Sequence, residues 1–285
     1  MIISPFTPIF FENFNSDGIE SRYMQVFAPS DQILLECICL PGEQLYDFAI
    51  SGETDDGYSQ YTQLKHNSWQ MADGSVLWFT VISGLAPGTY RLIYPPTGRT
   101  SHLFRITNDR DELAKTTLIQ YSMKDNKQRQ DAVFIIDGMR YFFDFRVPGG
   151  FKDSGWTFAV ENEQFITPEA DPVELFALES TQKKFTMGNQ QGVPVYFAEL
   201  LNRLLTCSYV YFDGVRYARK DSSVPEMTVQ MEGLDSFVFS QLLQKVNNLN
   251  PTIENTNHLI MRRVDDDLYR ASAISDTSVT NRIIH

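Results

Sequence analysis

The chain has 285 residues, a length that suggests about two domains and buries roughly three-quarters of the unfolded surface without disulfide or metal staples. Hydrophobic residues make up 42% and charged residues 21%, a composition that fits a globular chain and excludes a disordered one. The 36 acids outnumber the 24 bases, for a formal charge of −12, so specific nucleic-acid binding and adhesion to an anionic membrane are both disfavoured.

Twenty-one Phe, 13 Tyr and 3 Trp point towards sheets and large buried interfaces. No apolar run reaches the roughly 18 residues of a membrane-spanning helix, so no membrane insertion is expected. Residues Met1 to Pro8 lack the basic region and apolar run of a secretory signal peptide. Cys37 and Cys39 fall on one face of an apolar run, and Cys207 stands alone. Buried, reduced thiols are the expectation, with synthesis in a reducing cytoplasm.

From Tyr23 to Thr107 short β-rich runs alternate with turn signals. The runs are Met24–Ala28, Gln32–Leu40, Leu45–Ser51, Tyr58–Leu64, Val76–Ser83, Thr89–Tyr94 and His102–Thr107, punctuated by Pro41-Gly42, Asp73-Gly74 and Pro87-Gly88. Strands at this spacing predict an antiparallel sandwich. The segment Ser83-Gly84-Leu85-Ala86-Pro87-Gly88-Thr89-Tyr90 resembles the tyrosine corner of immunoglobulin-like domains. No cysteine near Tyr90 is available to Cys37, so an Ig-like sandwich without its disulfide is expected over residues 1–108. Trp78 reads as core, and Trp69 is the candidate for stacking on a sugar ring. The acidic loop Glu53–Gly57 lacks the ligand ladder of a calcium site and reads as a solvated turn.

The polar run Asn108–Glu112 marks a boundary. Beyond it, residues 109–247 predict a β-rich domain with a strand over Thr116–Met123 and two hairpins. Each hairpin is signalled by Asp-Gly between apolar-aromatic runs, at Asp137-Gly138 and again at Asp213-Gly214. That dipeptide suits a type I′ turn, which needs positive φ at both positions. Both copies continue into Arg-Tyr. Between them, Pro194 opens a helix over about 194–206, whose apolar stripe Phe197, Leu200, Leu201, Leu204 and Leu205 is expected to pack on the sheet made by the hairpins. Pro148-Gly149-Gly150 reads as a turn ending the strand Tyr141–Val147. Residues 248–285 read either as a polar C-terminal arm that orders on a partner or as a loose tail, with a strand expected over His258–Val264 and an acidic triplet at Asp265, Asp266 and Asp267.

No catalytic motif emerges. The four histidines lack ligand spacing, and neither a Gly-x-Ser-x-Gly elbow nor a Ser-x-x-Lys pair is present. A non-enzymatic protein without metal or cofactor is the expectation. A hydrolase built on a carboxylate pair is the remaining catalytic reading.

The phrases Ile119-Gln120-Tyr121-Ser122, Phe143 to Phe151, Gly192-Val193-Pro194 and Ser208 to Tyr217 resemble a segment of uncharacterised tail proteins from phages and prophages of Bacteroides-type bacteria. The resemblance covers about a third of the chain, from Thr117 to Arg219. It implies a virion component of the tail tip, similar to distal tail proteins, which form homo-oligomeric rings between the tail tube and the host-recognition apparatus or baseplate. The implied partners are further copies of the chain and other tail proteins. The implied location is the virion tail, after synthesis in the host cytoplasm. Candidate interface residues are Asp137, Gly138, Asp213, Gly214 and the triplet at 265–267. The competing reading is a carbohydrate-binding cell-surface sandwich that contacts glycans through Trp69.

Overall fold

The computed structural model describes residues 1–11, 23–44, 46–168, 172–188, 192–220, 226–231, 236–246 and 261–263. In the first part of the chain the strands are β1 (Ile2–Ile3), β2 (Gln25–Phe27), β3 (Ile33–Cys39), β4 (Ala49–Thr54), β5 (Ser59–Gln63), β6 (Asn67–Gln70), β7 (Val76–Ile82), β8 (Gly88–Tyr94), β9 (Arg99–Thr100) and β10 (Phe104–Ile106). One sheet has the order β1-β3-β7-β6, and the other has β2-β10-β8-β4-β5 with β9 beside β8.

This is the immunoglobulin arrangement, with an A-B-E-D sheet facing a G-F-C-C′ sheet. The early strand β2 adds in parallel to β10. Between the sheets lie Phe27, Leu35, Cys37, Phe48, Trp78 and Leu92, all buried. Trp78 is therefore core, as its sequence context indicates. Leu92 stands two residues after Tyr90, where antibody domains carry their second cysteine. Cys37 is accordingly free and buried.

Tyr90 makes the expected corner: its hydroxyl donates to the Ala86 carbonyl at 2.9 Å. Tyr90→Phe is expected to cost about 1 kcal/mol, read as a lower urea midpoint. An unchanged midpoint would show that the corner bond adds nothing to this sandwich.

A four-residue helix, α1 (Arg110–Leu113), follows at the expected boundary. The remaining elements are β11 (Thr116–Ser122), β12 (Ile135–Ile136), β13 (Met139–Tyr141), β14 (Phe143–Ile166), β15 (Pro172–Met187), α2 (Val195–Leu204), β16 (Tyr209–Phe212), β17 (Val215–Arg219), β18 (Glu226–Met231), β19 (Ser236–Lys245) and β20 (Met261–Arg263). The order β15-β14-β11-β16-β17-β19 closes into a ring, because β15 pairs with β19 as well as with β14. Closure removes the sheet edges, and β18 adds outside the ring along β19.

Alternation along β14 sends Phe143, Phe145 and Val147 into the core. Asp144 and Arg146, on its other face, reach the sandwich. Helix α2 begins after Pro194 and buries Phe197, Leu200, Leu201 and Leu204, the stripe that its periodicity predicts.

Three expectations are corrected. First, Pro148-Gly149-Gly150 does not end a strand, because β14 runs through it to Ile166. Gly149 has φ +127°, and a Cβ there would lie 2.1 Å from the Thr186 carbonyl oxygen. The glycine therefore serves a close strand approach. Second, the two Asp-Gly hairpins do not share a sheet. The first belongs to β12-β13-β20 and the second to the ring, so α2 does not pack on a sheet built from both. Third, the strand expected over Tyr141–Val147 is divided, with β13 ending at Tyr141 and β14 starting at Phe143; within the strand expected over His258–Val264, the described residues Met261–Arg263 do form a strand, β20, paired to β13.

The sandwich has its own buried cluster between its sheets, but the second cluster is not confined to one side of the boundary near residue 108. One buried cluster runs from Phe6, Leu34, Ile38, Leu77 and Phe79 to Ile119, Tyr121, Phe134 and Phe143 across it. Strand β3 is consequently buried at every position, which explains why six of its seven residues are apolar, Glu36 being the exception. The N-terminal segment seals the seam. The Tyr121 hydroxyl donates to the Phe6 carbonyl, and Arg203 of α2 donates to the Pro5 carbonyl at 2.8 Å.

Candidate functional site

Both Asp-Gly tips are type I′ turns: φ is 50° and 77° at Asp137 and Gly138, and 47° and 81° at Asp213 and Gly214. Their surroundings differ. Asp137 and Gly138 are exposed. The second tip is docked, since the Leu118 N–H donates to the Asp213 carboxylate at 2.9 Å and the Asp213 N–H donates to the Leu118 carbonyl at 2.9 Å. Gly214 is buried. Burial raises the Asp213 carboxyl above its ordinary range, opposed by the Leu118 bond and the Arg146 charge.

The arginines that follow the two turns converge. Arg140 lies 4.7 Å and Arg216 4.9 Å from the ring centre of Tyr209, so one aromatic ring ties the two hairpins together. Asp265, Asp266 and Asp267 lie outside the described residues.

Trp69 does not present an open ring. It is half-buried and packs against the shared core beside Met71. An open groove of about 460 Å³ lies instead on the outer face of β4, β5 and β8, lined by Ser51, Glu53, Tyr61, Thr89 and Arg91. Tyr61 is 65% exposed there. Strand alternation places these polar side chains outward, a signal present in the sequence and overlooked beside the tryptophans.

The seam between sandwich and ring is electrostatically unusual. Arg146 forks onto Asp31, with Nε at 2.7 Å from Oδ2 and Nη2 at 2.8 Å from Oδ1. Asp144 accepts from the Gln32 N–H at 2.9 Å and from Gln120 Nε2 at 2.8 Å. Burial, aided by the nearby Asp31 charge, pushes the Asp144 carboxyl up to about 7. On β3, Glu36 is fully buried. Its Oε2 accepts from the Val133 N–H at 3.3 Å, and burial pushes its carboxyl up to about 8.

Among the described residues, a run of exposed apolar side chains lies along the distal part of β14. From Thr157 to Ile166, β14 pairs only with Pro172 to Gln182 among the described residues. Ten residues of strand reach about 30 Å. Along this arm Phe158 is 75% exposed, Val160 63%, Phe165 55% and Ile166 67%. Monomeric proteins rarely leave such side chains together in water, and apolar surface rimmed by polar residues marks interaction sites.

Among the described residues no cluster of three or more His, Cys, Asp and Glu is arranged to hold a metal ion, and no helix is long and apolar enough to cross a membrane. His66 bonds Asp47 and stacks on Trp78 at 5.4 Å, while His102 stacks on Tyr196 at 5.1 Å. No family model and no curated protein matches the chain.

Proposed function

We propose that this protein is a non-enzymatic structural component of a phage tail tip, comparable to distal tail proteins, that assembles into a homo-oligomeric ring. The observation that carries the reading of an assembly part is the arm, a hairpin of β14 and β15 that displays four large apolar side chains to solvent; the homo-oligomeric ring itself is what the tail-protein resemblance implies. Such a hairpin is how an assembly part presents itself before its neighbours arrive. The tail-protein resemblance of residues 117–219 supports it, since that span contains the arm, α2 and both flanking strands of the ring. A sandwich fused to the ring through one core suits a part that must hold its neighbours at a fixed orientation.

Light scattering and negative-stain microscopy at high protein concentration test the reading. A closed ring of fixed copy number is the expected result. A monomer at high concentration, together with the protein's absence from purified particles, would overturn it.

The outer groove favours a second reading, glycan binding by the sandwich. Tyr61 offers an exposed ring, with Glu53 and Arg91 as hydrogen-bonding neighbours. On a glycan array this reading expects binding that Tyr61→Ala removes and Trp69→Ala leaves in place. An array without binding sinks it.

A further inference from the structure

Counted by sequence, the arm is acidic throughout. The ionisable side chains between Ser154 and Gln182 are Glu161, Glu163, Glu169, Asp171, Glu174 and Glu179, with no lysine, arginine or histidine among them. Half of the chain's formal charge of −12 therefore sits on this one hairpin. The arm's exposed apolar residues also occur on both of its faces. Side chains alternate along a strand, so Phe158, Val160 and Ile166 share one face of β14 and Phe165 lies on the other. A hairpin apolar on one face alone lies on a flat surface, whereas one apolar on both faces loses its water only inside a cleft.

The charge selects the occupant. Two arms brought together would juxtapose like charges, which costs stability wherever they meet across strands. The sandwich of a second copy is no better, because residues 1–108 carry 11 acids against 5 bases. Residues 183–247 are close to neutral, with 7 bases against 6 acids. Residues 109–153 hold 8 bases against 8 acids and residues 248–285 hold 4 against 5, so none of these stretches of sequence carries a marked excess of bases to match the arm.

We propose that the arm inserts into a cleft on a different protein, one lined by lysine and arginine side chains among apolar ones. The inference rests on the reading of the arm as an assembly element, but not on ring formation. In a ring of this protein the subunit contacts then lie elsewhere, and the arm is the outward connection to a neighbour of another kind.

The test uses the full chain and a fluorescent peptide of alternating leucine and lysine, followed by anisotropy at physiological and high salt. Saturable binding is expected. It should weaken at least about tenfold in Phe158→Ser/Val160→Ser/Ile166→Ser, and by a similar factor in Glu161→Gln/Glu163→Gln/Glu174→Gln/Glu179→Gln. High salt should mimic the second variant. The sandwich variant Asp55→Asn/Asp56→Asn should bind as the parent does. The charge variant changes no apolar contact, so it remains informative if the serine variant misfolds.

Equal binding by both arm variants would overturn the proposal, as would equal binding of a leucine–glutamate peptide. So would self-association that depends on the arm in the absence of peptide, because the occupant would then be a second copy. Failure of the ring reading appears separately, as a wrong copy number in light scattering with peptide binding intact.

Discussion

Arg146→Ala is expected to lower the stability of the protein by about 3–5 kcal/mol, the cost of leaving one member of a buried ion pair alone. The side chain of Asp31 is completely buried and that of Arg146 is 11% exposed, so water cannot replace the lost partner. The fork closes a contact between residues 115 positions apart, and the substitution therefore attacks the seam between sandwich and ring. The guanidinium also donates to Thr116 Oγ1 at 3.1 Å, which ties the start of β11 into the same cluster. Urea unfolding of the variant is the measurement. A loss below about 1 kcal/mol would place this pair with ordinary surface ion pairs. Arg146→Lys is expected to recover only part of the loss, because an ammonium cannot form both bonds of the fork.

The second large effect is a dependence on pH. Glu36 and Asp144 have carboxyls raised by burial to about 8 and about 7, whereas in the unfolded chain both titrate near 4. Between these values the unfolded state has released its protons and the native state still holds them. The contribution of these two groups to stability is therefore full at about pH 4, falls as the pH rises, and levels off above about 8. Each group contributes a slope of about −1.4 kcal/mol per pH unit inside its own window. Glu36→Gln keeps an acceptor for the Val133 N–H and removes the titration. The variant is expected to be more stable than the parent at pH 8 by roughly 3–5 kcal/mol, with the advantage vanishing near pH 4. Parallel stability curves for parent and variant across this range would show that Glu36 does not titrate as described.

Legibility from sequence followed how local each signal was. The strands of the sandwich were readable because Pro-Gly and Asp-Gly turns cut the chain into runs of strand length. The tyrosine corner was readable because the Ala86 carbonyl lies four residues from Tyr90. Strand β6 was missed: Asn67, Ser68 and Gln70 are exposed, so it lacks the apolar alternation of a half-buried strand. The arm was missed for the opposite reason. Pro148-Gly149-Gly150 carries every mark of a turn, and only the partner strand β15 shows the same residues continuing a long ladder. Closure of the ring depends on pairing between β15 and β19, and nothing near either segment announces it.

The candidate interface divided in the same way. The conformations of Asp137-Gly138 and Asp213-Gly214 were legible because a dipeptide sets them. The burial of Gly214 against β11 was not, since it depends on a neighbour 95 residues away. Glu36 and Asp144 looked like ordinary strand acids. Their perturbation arises only when the outer face of β3 meets the ring, and no residue next to them records that event.

Strand β14 begins at the seam and ends in the arm, with Arg146 near one end and Ile166 at the other. A pull on the arm therefore travels along a single backbone to the guanidinium that grips the sandwich. The load reaches the β14–β11 ladder lengthwise, where six paired positions from Thr116 to Tyr121 resist sliding together and are not peeled apart one at a time. In the assembly proposed above, the hairpin is thus both the point of attachment and the cable by which tension from a neighbour is delivered to the rest of the molecule.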